Sequence, residues 1–477
     1  MFMSGSTRWR RPAVAATVAV LTGLTLGAGV AEASGHPTPG SDGAGDTYYP
    51  TDGNGGYDVA DYTLSTTYDP ASHDLTGNQR VTARATQDLS SFNLDLYKLG
   101  VDSVKVNGKQ ATFKQAGEHE LVITPARALR RGQPFVAEIA YHGKPTAISD
   151  PSLGANGWQY SESGGAFVAG EPHSAATWYP VNDTPKDKAT FHLSITVPDE
   201  WGVIANGQER GTRKTPQGTT HVWAEETPTV PYMTTVAIGK WDFQRSRLRD
   251  GTPVVSAFAQ GVPDGVKQAE GRLPEVIDFL SSKFGPYPID AAGGIFLTEQ
   301  IGFSLETMSR PVYAGWADLP TIVHENAHQW YGDSVAVDDW KDVCLNECFA
   351  SYAEWMWSEA KSNKPMDARY LDAVKKATPN FWAGKLYDMG PGKEFTSVYS
   401  KGPMALHALR RTVGDRAFDT VLRFWPTLHR DGNANLPEFQ RFVERISGQR
   451  LQGFFDAWFY GNAKPADQYL YPGPLKP

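Results

Sequence analysis

The apolar pattern changes period once along the chain, and that change constrains the fold more than any other feature. From Tyr57 to about Phe243, runs such as YTLSTTYD, VTARATQDL, FNLDLYKL and FHLSITVP alternate apolar with polar residues between Gly, Pro, Asn and Asp. Period two with turn residues at the joints describes strands, so this stretch is mostly β. After about Arg247 the spacing becomes helical, as in VKQAEGRLPEVIDFLSSKF before Gly285-Pro286, with one further strand, AGGIFLTEQ. Helices are predicted at Leu319 to Tyr331, Asp342 to Ala360, Pro403 to Val413, Arg416 to Leu428, Leu436 to Ile446 and Leu451 to Tyr460. The reading is therefore α+β and multidomain: a β-domain over residues 57–246, then a mixed and mainly helical domain over 247–477. No solenoid or propeller repeat is visible, and 477 residues are ample for two such cores.

The N-terminus reads as a targeting segment. Arg8, Arg10 and Arg11 precede an apolar run, Ala13 to Val30, that ends at Ala31-Glu32-Ala33, the pattern of a signal peptide over residues 1–33 with an A-x-A cleavage site. An uncleaved anchor helix is the alternative, disfavoured by a run rich in Ala, Gly and Thr. The expectation is export without a stable membrane anchor. Residues 34–56 are Gly, Ser, Pro, Thr and Asp with little apolar content, and read as a flexible linker. The net charge is −8, and the acidic body argues against nucleic acid as a partner. The two cysteines, Cys344 and Cys348, lie four apart in a helical stretch, where Cβ atoms stand about 5 to 6 Å apart and a disulfide wants about 4 Å. Two buried thiols are expected, with redox sensitivity left open by their neighbour Glu347.

The helical half contains His324-Glu325-Asn326-Ala327-His328, an H-E-x-x-H motif. Positions i and i+4 share a helix face, so His324 and His328 can present two imidazoles to one zinc ion while Glu325 reaches a water on that metal. A catalytic zinc needs a third protein ligand and an open position. Glu347, 18 intervening residues after His328 on the next predicted helix, supplies it in an H-E-x-x-H-x18-E arrangement. Glu354 follows seven residues later on the same face; it either orients a ligand histidine or is a solvated helix carboxylate.

On these residues the chain resembles the zinc aminopeptidases of the aminopeptidase N family, gluzincins that include the leukotriene hydrolase. Three further segments carry the resemblance. Tyr399-Ser400-Lys401-Gly402 is similar to the family's Y-x-K-G motif, whose tyrosine stabilises the oxyanion. Ser304-Leu305-Glu306-Thr307 resembles its G-A-M-E-N motif, with Phe303, Leu305 and Thr307 at the motif's Gly, Met and Asn; the resemblance makes Glu306 an anchor for the substrate's amino group. Glu171, ahead of Tyr179-Pro180-Val181-Asn182-Asp183-Thr184-Pro185, falls where the family places a second amine-binding Gln or Glu. Asn326, Cys344 and Cys348 also depart from the family pattern, and none is a metal ligand.

The resemblance runs from about Tyr57 to the segment Phe455–Gly461. It implies a β-sandwich-like N-terminal domain on a thermolysin-like, mostly helical zinc catalytic domain. It also implies an enzyme that trims peptides with a free N-terminus using one zinc per chain, and the N-terminal segment adds the expectation that it is secreted. Larger members add a long helical C-terminal domain, and without one the site is expected to be more open. A thermolysin-like endopeptidase and a catalytically silent homologue acting as a binding module are the competing readings. The preferred N-terminal residue, the physiological peptide and the oligomeric state are not legible.

Overall fold

The computed structural model describes residues 36–150 and 153–476. The signal-peptide expectation over residues 1–33 lies outside them. Among the described residues no helix is long and apolar enough to cross a membrane.

The period-two runs form the strands they predict. An eight-stranded mixed sheet is built around Tyr57–Asp69, which pairs antiparallel with Asp74–Ala85 on one side and parallel with Ala189–Val197 on the other. Its alternation is literal: Val59, Tyr62, Leu64 and Tyr68 are buried while Asp58 and Ser65 face out. A five-stranded sheet containing Gly154–Tyr160 and Ala166–Ala169, and a four-stranded sheet containing Leu89–Asp95, complete the β half. A second four-stranded sheet, Trp241–Arg247, Pro253–Ala259, Ala292–Phe296 and Val312–Tyr313, opens the other half, which is mainly helical apart from the short parallel pair Val335–Val337 and Gly432–Ala434. This is the two-part architecture expected from the sequence.

Two apolar cores follow the two halves, but they trade residues at the border. Leu305 and Val312 of the catalytic half pack into the β core, whereas Tyr232 and Met233 of the β half pack into the helical core. The border is therefore a packed interior in which buried polar groups can be held in fixed places.

Two expectations are corrected. Residues 36–56 are not a free linker: Thr38–Pro39 adds a strand beside Leu89–Asp95, and the segment then crosses to the catalytic half. There Asp46 Oδ2 accepts from Trp340 N at 2.9 Å and Thr47 Oγ1 donates to Asp339 Oδ2 at 2.5 Å. A Gly-rich composition cannot form a core, but Tyr48 and a few buried polar side chains suffice to dock it on cores made elsewhere. The cysteines are not free thiols either, since Cys344 and Cys348 form a disulfide. Cys344 is the first residue of its helix and follows the 3-10 turn Trp340–Asp342. At that end the Cα atoms come to 4.8 Å, inside the range of about 4.4 to 6.8 Å that a disulfide spans.

Candidate active site

The Leu319–Ala327 helix starts where its sequence says it should. Asp318 accepts from Thr321 N at 3.1 Å, Thr321 reaches back to the Asp318 backbone, and Pro320 sits in the first turn. Such a capping box is worth on the order of 1 kcal/mol and fixes the register of His324. The helix ends at Ala327, earlier than Tyr331, and in the turn that follows His328 directs its Nδ1 to the Tyr331 carbonyl at 3.0 Å. The Cys344–Ser362 helix packs against it and brings Glu347 and Glu354 to the same side.

The two imidazoles converge. His324 Nε2 and His328 Nε2 lie 3.2 and 3.4 Å from the same oxygen, Glu347 Oε2. Both remaining ring nitrogens are occupied as N–H donors, His324 Nδ1 to Glu354 Oε1 at 2.7 Å and His328 Nδ1 to the Tyr331 carbonyl. With the outward nitrogens protonated, the inward Nε2 atoms keep lone pairs for a metal. All three residues are buried. Two imidazoles, which become neutral when their Nε2 atoms ligate a metal, and one carboxylate, set at one point and open to a cavity, fit a catalytic zinc ion. His324, His328 and Glu347 would hold it. Glu354 thus touches a candidate ligand rather than standing free on the helix.

A cavity of about 440 Å³ opens over these groups, lined by Glu171, Glu306, Glu325 and Tyr399 as well as by the donor set. Glu171, from the β half, and Glu306, from the connection after the isolated Leu305–Val312 bridge, each bring a carboxylate oxygen within 4.8 Å of Glu347 and of one another. Burial raises both acids above the ordinary carboxylate range; for Glu171 the charge of Glu306 adds to it, and for Glu306 the nearby His328 works against it. A buried pair of this kind favours a cationic guest. Glu325 is pushed up to about 8 by burial, against the pull of His324 and His328. Tyr399 is 47% exposed at the mouth. Desolvation of its hydroxyl, with the carboxylate of Glu347 next, holds the phenol well above its ordinary value, so it remains a proton donor.

The sequence quoted Lys401 and Gly402 only as motif letters, and the structure gives them work. Lys401, fully buried, donates to the Gly384 carbonyl at 2.5 Å and to the Gly461 carbonyl at 3.3 Å, tying down the connection that delivers Tyr399. A Cβ on Gly402 would stand 2.5 Å from Cys348 Sγ, so glycine is what lets the Lys401–Val413 helix approach the disulfide turn.

Three groups went unseen in the sequence. Gln329 donates to the Glu306 carbonyl at 3.2 Å and accepts from Ser309 N at 2.8 Å, joining the end of the motif helix to the Glu306 connection. Tyr232 donates its hydroxyl to Glu306 Oε1 at 3.4 Å. Arg310, buried, donates to the carbonyls of Ala292 and Gly207 and fixes the turn after Glu306. A glutamine directly after the second histidine was the one available clue; Tyr232 and Arg310 reach the site through tertiary contacts that no local pattern announces.

Comparison with known proteins agrees with this arrangement. The peptidase M1 N-terminal domain matches residues 58–233, and the peptidase family M1 domain matches residues 316–458. The tricorn protease-interacting factor F2 of Thermoplasma acidophilum is 22% identical over 85% of this chain and 54% of its own length. Aminopeptidase N of Lactococcus lactis subsp. cremoris is 24% identical over 83% of this chain and 50% of its own. The chain thus spans about half the length of the curated relatives it matches. An M1 zinc metallopeptidase from Deinococcus radiodurans superposes with a TM-score of 0.84 at 28% identity, covering 91% of this chain and 100% of that one. Zinc is accordingly the metal expected here, one ion per chain, as the donor set requires. The matched N-terminal and catalytic models follow one another in the order of the two halves of the fold, and the chain belongs to peptidase family M1.

Proposed function

We propose that the chain is a secreted zinc aminopeptidase that removes the first residue from peptides with a free amino group. The observation that carries this reading is the closeness of Glu171 and Glu306 to Glu347, all three within 4.8 Å. Within one residue the amino nitrogen and the carbonyl carbon are about 2.5 Å apart, so an ammonium held by the two acids leaves only the first peptide bond at the metal ligands. An internal peptide nitrogen would leave both acids buried and unpaired.

Bound zinc supplies a water of near-neutral pKa and a Lewis acid for the scissile carbonyl. Glu325, buried in the cavity beside His324, takes the proton of the attacking water and returns it to the departing amine. Tyr399 donates its hydroxyl to the oxyanion as charge develops there. Glu354 keeps His324 in the tautomer that turns Nε2 inward. Secretion is supported by Arg8, Arg10, Arg11, the apolar run Ala13 to Val30 and the Ala31-Glu32-Ala33 site.

The reading is tested with paired aminoacyl arylamides, free and N-acetylated, under matched zinc loading. Turnover confined to the free substrates is expected, and equal turnover of internal bonds in blocked peptides would replace it with an endopeptidase.

A further inference from the structure

Glu171 is placed by a segment that the motifs do not include. Its Oε1 has no hydrogen-bond partner among the described residues, and its carbonyl is held by Asn156 Nδ2 at 2.6 Å. Two residues on, His173 Nδ1 lies 2.7 Å from Asp52 Oδ2. The His173 ring also stands edge-on to Tyr49, with centroids 5.2 Å apart. Tyr49 is itself fixed at both ends. Its backbone N–H donates to Asp46 Oδ1 at 3.0 Å, and its hydroxyl donates to Glu394 Oε1 at 2.9 Å, across in the catalytic half. Asp46 binds Trp340 N with its other oxygen, four residues before the disulfide helix. The segment read as a linker therefore grips the catalytic half with Asp46 and Tyr49 and grips the Glu171 connection with Asp52 and Tyr49.

We propose that Asp52 and Tyr49 are positioning residues for the substrate's amino group, acting on Glu171 through His173. This rests on the aminopeptidase reading and deepens it. The clamp needs carboxylates from two halves of the molecule at one separation, and Glu306 is set by the Leu305–Val312 bridge, Tyr232 and Gln329. Glu171 sits on the short connection after Ala166–Ala169, and its carboxylate receives no comparable support. His173, pinned by an ion pair on one edge and an aromatic face on another, supplies that support two residues away. Backbone geometry fixed at His173 limits where Glu171 can stand, and a displacement near 1 Å at a substrate-holding group costs up to about a hundredfold.

A strap that only added stability would lower the melting temperature and leave substrate binding unchanged. The positioning role makes a different demand. Asp52→Asn and, separately, Tyr49→Phe are assayed on a free aminoacyl arylamide, with zinc content and melting temperature measured in parallel, and each is repeated in a Glu171→Gln background. KM is expected to rise by about tenfold for Asp52→Asn and less for Tyr49→Phe, with kcat within about twofold and zinc content unchanged. In the Glu171→Gln background neither substitution should raise KM further. A lowered melting temperature with unchanged KM in the soluble Tyr49→Phe protein overturns the proposal, as does a KM effect that adds in full to that of Glu171→Gln. Absence of turnover on free substrates by the wild-type enzyme overturns the aminopeptidase reading and this proposal together, whereas normal wild-type turnover with additive variants overturns this proposal alone.

Discussion

The candidate metal centre and the acid pair proposed to clamp the amine share one cavity but are built in different ways. His324, His328, Glu347 and Glu354 come from two packed helices, and their separations follow from helical periodicity and one helix–helix contact. Glu171 and Glu306 come from a connection in the β half and a connection at the border, brought together by contacts between residues more than a hundred positions apart. The first arrangement is written locally and is the one proposed to carry the chemistry. The second is written in the packing of two cores and, on the present account, carries the selectivity.

The comparison can be broken by striking each region alone. Glu325→Gln should lower kcat by about a thousandfold while the protein keeps its zinc and its affinity for free-amine substrates, read by steady-state kinetics with metal analysis. Glu306→Gln should do the reverse, raising KM for free substrates by about ten- to a hundredfold with zinc retained, because a charge-assisted hydrogen bond to the ammonium is weakened. If Glu306→Gln instead lost zinc, the two regions would not be separable. Glu354→Gln sharpens the distinction: zinc affinity measured by chelator competition should fall by about ten- to a hundredfold, since the partner that orients His324 has lost its charge.

A smaller effect lies outside both regions. Glu270 is buried, accepts from Ser256 Oγ at 2.5 Å, and is pushed up to about 8 by burial. Its folded pKa lies above the unfolded one, so the folded state holds the proton between them. The associated stability is present in full below the unfolded value of 4.5 and is lost as pH rises through about 8, on the order of 5 kcal/mol. Melting temperatures from pH 5 to 9 should fall in the wild-type protein and fall less in Glu270→Gln. Equal slopes would show that Glu270 ionises freely in the fold.

What could be read from the sequence follows the same division. The β-to-helical change of period, the spacing of His324, His328 and Glu347, and the face shared with Glu354 are local patterns, and the structure brings those residues together. Tyr399, Glu306 and Glu171 became visible only through resemblance to family segments, because nothing in their own neighbourhoods says that they meet. Tyr232, Arg310 and Gln329 were not singled out, since a buried tyrosine or arginine looks locally like any other core or surface residue. The segment 36–56 misled because composition reports the lack of a core, and a segment can be ordered by another domain's core. The Cys344–Cys348 pair misled because ideal spacing was assumed at a helix end, where the turn tightens.

The most direct measurement is the ratio of kcat/KM for free over N-acetylated aminoacyl arylamides, taken on zinc-loaded wild-type protein and on Glu306→Gln. The account predicts a large ratio in the wild-type protein that collapses in the variant through KM, with zinc content equal in both. A ratio near one in the wild-type enzyme, or a wild-type preference untouched by Glu306→Gln, would contradict it.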